Sequence, residues 1–195
     1  LEINGNLISI GSNSFTPCEN LQNISIQGNN LSIGKSTFYS CENLKHINID
    51  CNSISIGENA FYSCINIANI SISSNYLLFN EQSFYGCRKI QFISLIGIDI
   101  SILPESFSLC TNVQNITIEG RGINIDKSAF SSCLNLINAT IKGENVFIGY
   151  QSFYSCSYLQ NLTISGNITS IGKEAFYYSR AIHSMILKGY NISIF

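Results

Sequence analysis

The sequence predicts an α/β repeat protein, a solenoid of stacked 23-residue coils built from short parallel strands, second short strands and short helical turns. Three observations lead there. Phe15, Phe38, Phe61, Phe84, Phe107, Phe130, Phe153 and Phe176 follow one another at intervals of 23. Cys18, Cys41, Cys64, Cys87, Cys110, Cys133 and Cys156 each stand three residues after a member of that file, and Ser179 takes the eighth place. Apolar columns keep the same clock: Leu21, Leu44, Ile67, Ile90, Val113, Leu136, Leu159 and Ile182 form one. Phe makes up only 12 of 195 residues, so eight in register by chance is negligible. A period of this length marks a repeat architecture before any secondary structure is assigned. Residues 1–195 form a single array of about 8.5 repeats (195/23), without insertion or linker.

Each unit reads in three pieces. In LQNISIQG, residues 21–28, Ile24 and Ile26 share a face with Ser25 between them. That alternation has period 2 and predicts a short strand. A Gly-Asn-Asn turn follows, and Leu31 and Ile33 in NNLSI alternate again as a second strand. In GKSTFYSC, residues 34–41, Phe38 and Cys41 are three apart and would share the face of one or two helical turns. A small residue precedes each Phe (Ser14, Thr37, Ala60, Ser83, Ser106, Ala129, Ser152, Ala175), which predicts close packing against the next coil. Gly5, Gly28, Gly97, Gly120, Gly143, Gly166 and Gly189 mark the turn column, with Cys51 and Ser74 as exceptions.

A lone unit cannot fold. It offers about six large apolar side chains, worth roughly 1.5–3 kcal/mol each on burial. Ordering its backbone costs roughly 1–2 kcal/mol per residue. Stacking aligns each apolar column with its neighbour and makes one continuous core.

Composition excludes several classes. Charged residues are 11% of the chain and the formal net charge is −2, which gives no electrostatic case for nucleic acid or anionic lipid. The 45% hydrophobic content excludes intrinsic disorder. No apolar run reaches the roughly 18 residues of a membrane-spanning helix, so no membrane insertion is expected within this segment.

The stretch LQNISIQGNNL fits the leucine-rich-repeat frame L-x-x-L-x-L-x-x-N-x-L. Asn6, Asn29, Asn52, Asn75 and Asn167 hold its Asn position, while Ile98, Arg121, Glu144 and Tyr190 depart from it. The 23-residue length and the cadence SIGENAFYSC, Ser55 to Cys64, resemble the BspA-like branch of leucine-rich repeats. The resemblance implies a right-handed leucine-rich-repeat solenoid with its parallel β-sheet on the concave face. It also implies a secreted or surface-displayed protein, extracellular or at the cell surface, engaged in adhesion to host or matrix proteins. The chain starts inside a strand at Leu1 and stops in another near Phe195, so a segment of a longer protein is expected.

Catalytic chemistry lacks its parts, and no enzyme is expected. His46 and His183 occupy different columns, about six repeats apart, and no nucleophile elbow or phosphate-cradling loop appears. No metal site and no cofactor are expected, because no two Cys are closer than the ten residues between Cys41 and Cys51. Disulfides between coils are awkward, since in-register side chains run parallel about one strand spacing apart. The Cys column is therefore read as reduced thiols packed as small hydrophobes. Cys51, at a turn-Gly position, is expected to be partly exposed and the best candidate for reactivity. Tyr39, Tyr62, Tyr85, Tyr154 and Tyr177 follow five of the column Phe residues and are read as packing between coils with the hydroxyl in water.

Binding is expected on the outward positions of the first strands. One column runs Asn23, His46, Asn69, Phe92, Asn115, Asn138, Asn161 and Ser184, and a second runs from Ser25 and Asn48 to Thr163 and Ile186. Both are small, uncharged and hydrogen-bonding for most of their length. Phe92 and Ile96 interrupt this on one strand face, and an exposed aromatic beside an exposed aliphatic is a plausible anchor. The expected site is Phe92 and Ile96 with His46, Asn69 and Asn115, and the expected partner is a protein or glycan ligand on a host cell or matrix. A passive structural spacer and an intracellular scaffold are the alternatives. Eight Asn-x-Ser/Thr sequons occur, at Asn23, Asn30, Asn69, Asn115, Asn138, Asn161, Asn167 and Asn191. Asn115, Asn138 and Asn161 would crowd on neighbouring strands, and Asn167 belongs to the Asn ladder. Asn30 and Asn191 are the expected acceptors in a secreted chain.

Overall fold

Every coil makes the same circuit, and the structure, a computed structural model, describes Leu1–Phe195 throughout. First strands Asn69–Ser73, Phe92–Ile96, Asn115–Glu119, Asn138–Lys142, Asn161–Ser165 and Ser184–Lys188 form a six-stranded parallel sheet. Second strands Leu7–Ile10, Tyr76–Phe79, Asp99–Ile102, Gly122–Ile125, Asn145–Ile148, Ile168–Ile171 and Asn191–Ile194 belong to a parallel sheet of ten strands. In the second and third coils the two merge into the 11-residue strands Asn23–Ile33 and His46–Ile56, which Glu2–Asn4 joins at the start. Every pairing is parallel and shifted by one repeat, as in Ile116↔Ala139↔Leu162 and Ile123↔Val146↔Thr169.

The expected helical turns are not helices. The segment after each second strand is a chain of tight turns, and its geometry excludes an α-helix for a local reason. From the second coil's turn on, two residues per turn sit at positive φ: Ser36 at 53° and Ser40 at 53°, then Asn59 at 55° and Ser63 at 54°, and so on to Glu174 and Tyr178. A helix cannot pass through a left-handed residue. Alternate N–H groups leave the turn for the next coil instead. Phe61 N–H donates to the Ser83 carbonyl at 2.7 Å, and Ser63 N–H to Tyr85 at 2.8 Å. The residues between bond locally, Tyr62 to the Asn59 carbonyl and Cys64 to the Phe61 carbonyl. The turn segment is thus a third hydrogen-bonded wall of the solenoid.

The interior holds the columns. The eight file Phe rings lie in one stack, with centroids 4.8–5.5 Å apart and planes within 19° of parallel. Phe38 through Phe153 are fully buried. Stacked rings add about 0.5–1.5 kcal/mol per pair beyond the area they bury. The small column is buried as expected, from Thr37 to Ala175. Glycine is required where coils approach most closely. A Cβ on Gly57 would stand 2.6 Å from the Gly34 carbonyl carbon and oxygen, and one on Gly28 2.2 Å from the Gly5 oxygen.

The thiol column does more than pack. Each buried thiol from Cys41 to Cys156 lies 3.1–3.4 Å from the carbonyl oxygen of the Phe one repeat back, as in Cys64 to Phe38 and Cys110 to Phe84. Ser179 repeats the contact, its hydroxyl donating to Phe153 at 2.8 Å. Burial raises the pKa of the column thiols Cys41, Cys64, Cys87, Cys110, Cys133 and Cys156, to about 12 at Cys110 and Cys156. All eight cysteines are free, and Cys18 alone is half-buried.

Cys51 departs from expectation. It is 3% exposed, not a surface thiol. The third coil runs as one continuous strand from His46 to Ile56, with Gly28 paired to Cys51, and this turns the side chain inward. Burial first, and the neighbouring Asp50 charge second, push its pKa up.

Candidate functional site

The outward face of the first strands is a grid, because strand alternation aims every second side chain at solvent and parallel pairing repeats it one coil on. Phe92 pairs in register with Asn69 on one side and Asn115 on the other. It is 44% exposed, and Ile96, four residues further along the same strand, is 48% exposed. His46 and Asn69 are exposed and Asn115 is half-buried. His46 lies across the merged strands and pairs with Asn23, two coils from Phe92. Phe92, Ile96, Asn69 and Asn115 therefore form one patch, with His46 at its margin.

The polar part of the face is knitted together. Asn161 donates from Nδ2 to Asn138 Oδ1 at 2.8 Å, and Asn138 to Asn115 at 2.7 Å. Thr117, Thr140 and Thr163 stand beside this amide ladder in the next outward row. Lys142 bridges to Glu119 at 2.8 Å in the row beyond. The ladder ends at Asn115, next to Phe92, where the Asn115 Nδ2 has no ladder partner to donate to. The ladder occupies the Nδ2 atoms of Asn138 and Asn161, the atoms a glycan would need. Asn30 and Asn191 are exposed.

The Asn of the repeat frame forms a second ladder only at the start of the array, where Asn29 donates to Asn6 and Asn52 donates to Asn29. Asn167 instead contributes its backbone carbonyl, which accepts from Tyr190 and Asn191. On the turn wall, Tyr39, Tyr62 and Tyr85 stack ring on ring with centroids 4.9 Å apart. Burial is the first cause of the raised Tyr62 pKa, and the flanking phenols add to it.

One surface escaped the reading of the sequence. The second-strand face carries exposed Phe147 and Ile168 around a depression of about 470 Å³ over Gly122, with exposed Tyr76 one coil beyond Asp99 at its margin. Aligning the outward positions of the second strands would have revealed it, since Gly122 is the one residue without a side chain in the row from Leu7 to Asn191.

The sequence pattern of the BspA type leucine rich repeat region matches residues 1–100 and 79–194, in 6 copies. The chain belongs to the BspA-type leucine-rich-repeat family. Among solved structures it is similar to a leucine-rich repeat protein from Bacteroides ovatus, at 17% identity and a TM-score of 0.38, over 100% of this chain and 71% of that one. It is also similar to a leucine rich cell surface protein from Faecalibacterium prausnitzii, at 14% identity and a TM-score of 0.35, over 92% of this chain and 76% of that one. No curated protein matches the chain. No helix is long and apolar enough to cross a membrane.

Proposed function

We propose that this BspA-type chain is a non-catalytic binding module, displayed at a cell surface, that contacts a protein or glycan ligand through the first-strand face. The observation that carries the reading is the pair Phe92 and Ile96, two large apolar side chains roughly half exposed on one strand, with Asn69, Ser73, Asn115 and Glu119 as their register neighbours. Such anchors concentrate binding energy when a partner desolvates them. The surrounding amides and hydroxyls supply hydrogen bonds, and the nearest charges, Glu119 and Lys142, neutralise each other as an ion pair. The patch amounts to a site of about four side chains on a rigid sheet, with the binding groups pre-ordered by the Asn115–Asn138–Asn161 ladder. In a chain secreted by a eukaryote, Asn30 and Asn191 are the proposed glycan acceptors.

The test is binding of wild type, Phe92→Asp and Ile96→Asp to immobilised matrix proteins, host-cell surfaces and glycan arrays. Loss of binding in both variants, with circular dichroism unchanged, supports the reading. Wild-type affinity in both removes the site. A featureless response from the wild-type chain on every surface favours a passive spacer.

A further inference from the structure

We propose that the depression over Gly122, on the second-strand face and separate from the Phe92 patch, is a subsite for a neutral hexopyranose residue of a glycan. The depression follows from one missing side chain. Across four coils the outward row reads Asp99, Gly122, Asn145, Ile168 in strict register, and the row beside it reads Ser101, Asn124, Phe147, Ser170. Adjacent strands stand about 4.8 Å apart, so the Asp99 and Asn145 strands are about 10 Å apart, and the strand between them carries no side chain in this row, only the Asp99 carboxylate leaning in from one side. The resulting volume of about 470 Å³ falls within the range of roughly 300–1,000 Å³ typical of small-molecule sites.

The walls have the chemistry a sugar ring requires. Phe147 is 43% exposed, and its register neighbours Asn124 and Ser170 are too small to cover its ring. A pyranose presents one apolar face of C–H groups, which packs on such a ring, while its hydroxyls need acceptors and donors around the rim. Asp99 supplies a carboxylate that takes part in none of the chain's three ion pairs. The carboxylate leans over the opening, with Oδ1 2.7 Å from where a Gly122 Cβ would stand. The amide-to-amide bonds of this chain lie elsewhere, at Asn6–Asn29–Asn52, Asn112–Asn135 and Asn115–Asn138–Asn161. Asn124 and Asn145 are thus left to face a ligand. The unpaired Asp99 selects for a neutral sugar, because a sialic or uronic acid would bring a second negative charge beside it. Tyr76 pairs with Asp99 on the coil before and is 53% exposed, so a second ring of an oligosaccharide running along the solenoid axis would meet another aromatic.

The experiment is an NMR titration of the ¹⁵N-labelled chain with methyl glycosides of neutral hexoses, their short oligomers and N-acetylneuraminic acid. The expected result is saturable shifts confined to residues 99–102, 122–124, 145–147 and 168–170, with a Kd of about 1–10 mM for a single sugar. Phe147→Ser and Gly122→Asn should each weaken it about tenfold or more. Both variants are compatible with the fold, since Ser101 and Ser170 already occupy the Phe147 column, and Asn145 and Asn191 the Gly122 column. Tyr158→Ser, exposed in a turn segment outside both strand faces, should leave the titration unchanged, and the acidic sugar should give no shifts. No saturable shift with any neutral sugar, or the same Kd in both second-strand variants, would overturn the assignment. So would preference for the acidic sugar.

Discussion

Replacing Cys110 separates two accounts of the thiol file. If the file is only a column of small hydrophobes, Ala should be tolerated better than Ser, because an unbonded buried hydroxyl costs about 1–3 kcal/mol. The geometry argues otherwise. Cys110 Sγ lies 3.3 Å from the Phe84 carbonyl, which also receives the Cys87 N–H of its own turn at 3.3 Å. Ser179 already fills the equivalent place with a hydroxyl, donating to Phe153 and accepting the Cys156 N–H at 3.2 Å. Cys110→Ser therefore exchanges a weak S–H donor for a stronger O–H donor in a site whose shape accepts it, and should stay within about 1 kcal/mol of wild type. Cys110→Ala loses the donor and leaves a void the size of one sulfur, together about 1–2 kcal/mol. Guanidinium unfolding followed by circular dichroism gives both values, provided the slope m is unchanged. A Ser variant less stable than the Ala variant would refute the hydrogen-bond role and return the column to simple packing.

Three further outcomes follow from the same columns. Ser83→Ala should raise stability by about 1 kcal/mol, measured by thermal melting, because the Ser83 hydroxyl is buried without a partner and Ala60 and Ala129 fill the same column. Stability should be flat below pH 8 and fall steeply above about pH 9: the unfolded chain releases thiol protons near 9.0 while the folded chain holds them up to about 12 at Cys110 and Cys156. Fewer bound protons in the unfolded state make stability decline with rising pH, by about 1.4 kcal/mol per pH unit for each buried thiol, and urea titrations of wild type and Cys110→Ser across that range should differ by one such slope. Gly57→Ala should cost more than about 2 kcal/mol, since its Cβ meets only backbone, whereas Gly122→Ala should be neutral or gain about 0.5–1 kcal/mol because only the tip of the Asp99 side chain must move.

Much of the architecture was legible because a strict period leaves few alternatives. Phe, Cys and the apolar columns each recur every 23 residues, and only stacking puts them all inside. The exposure of Phe92 and Ile96 could be read from strand alternation alone. The turn segment could not. Phe38 and Cys41 are three apart, and that spacing suits a helical turn and a tight turn equally. Of the left-handed positions that decide between them, only Asn13, Asn59 and Gly86 carry the residues that adopt that conformation readily, while Gln82, Glu105, Leu109, Gln151, Glu174 and Tyr178 carry no turn signal at all. The hydrogen-bonding role of the thiols had one visible sign, the Ser at position 179. Cys51 misled because its column is otherwise mostly glycine, and nothing local announces that the strand continues through it. The Gly122 depression has one sign in the sequence, the single glycine in a second-strand row that otherwise carries a side chain from Leu7 to Asn191.

The central claim is that no coil stands alone, and that the turn segment is a wall of the stack and not a loop. Native-state hydrogen exchange at the Phe38, Phe61, Phe84, Phe107, Phe130 and Phe153 amides tests it most directly, since each donates across to the next coil at 2.7–2.8 Å. Strong protection of all six, equal to that of the Ile116 and Ile123 strand amides and fading only toward the ends of the array, is the expected result. Turn amides that exchange as freely as an open loop, while the strands stay protected, would contradict it.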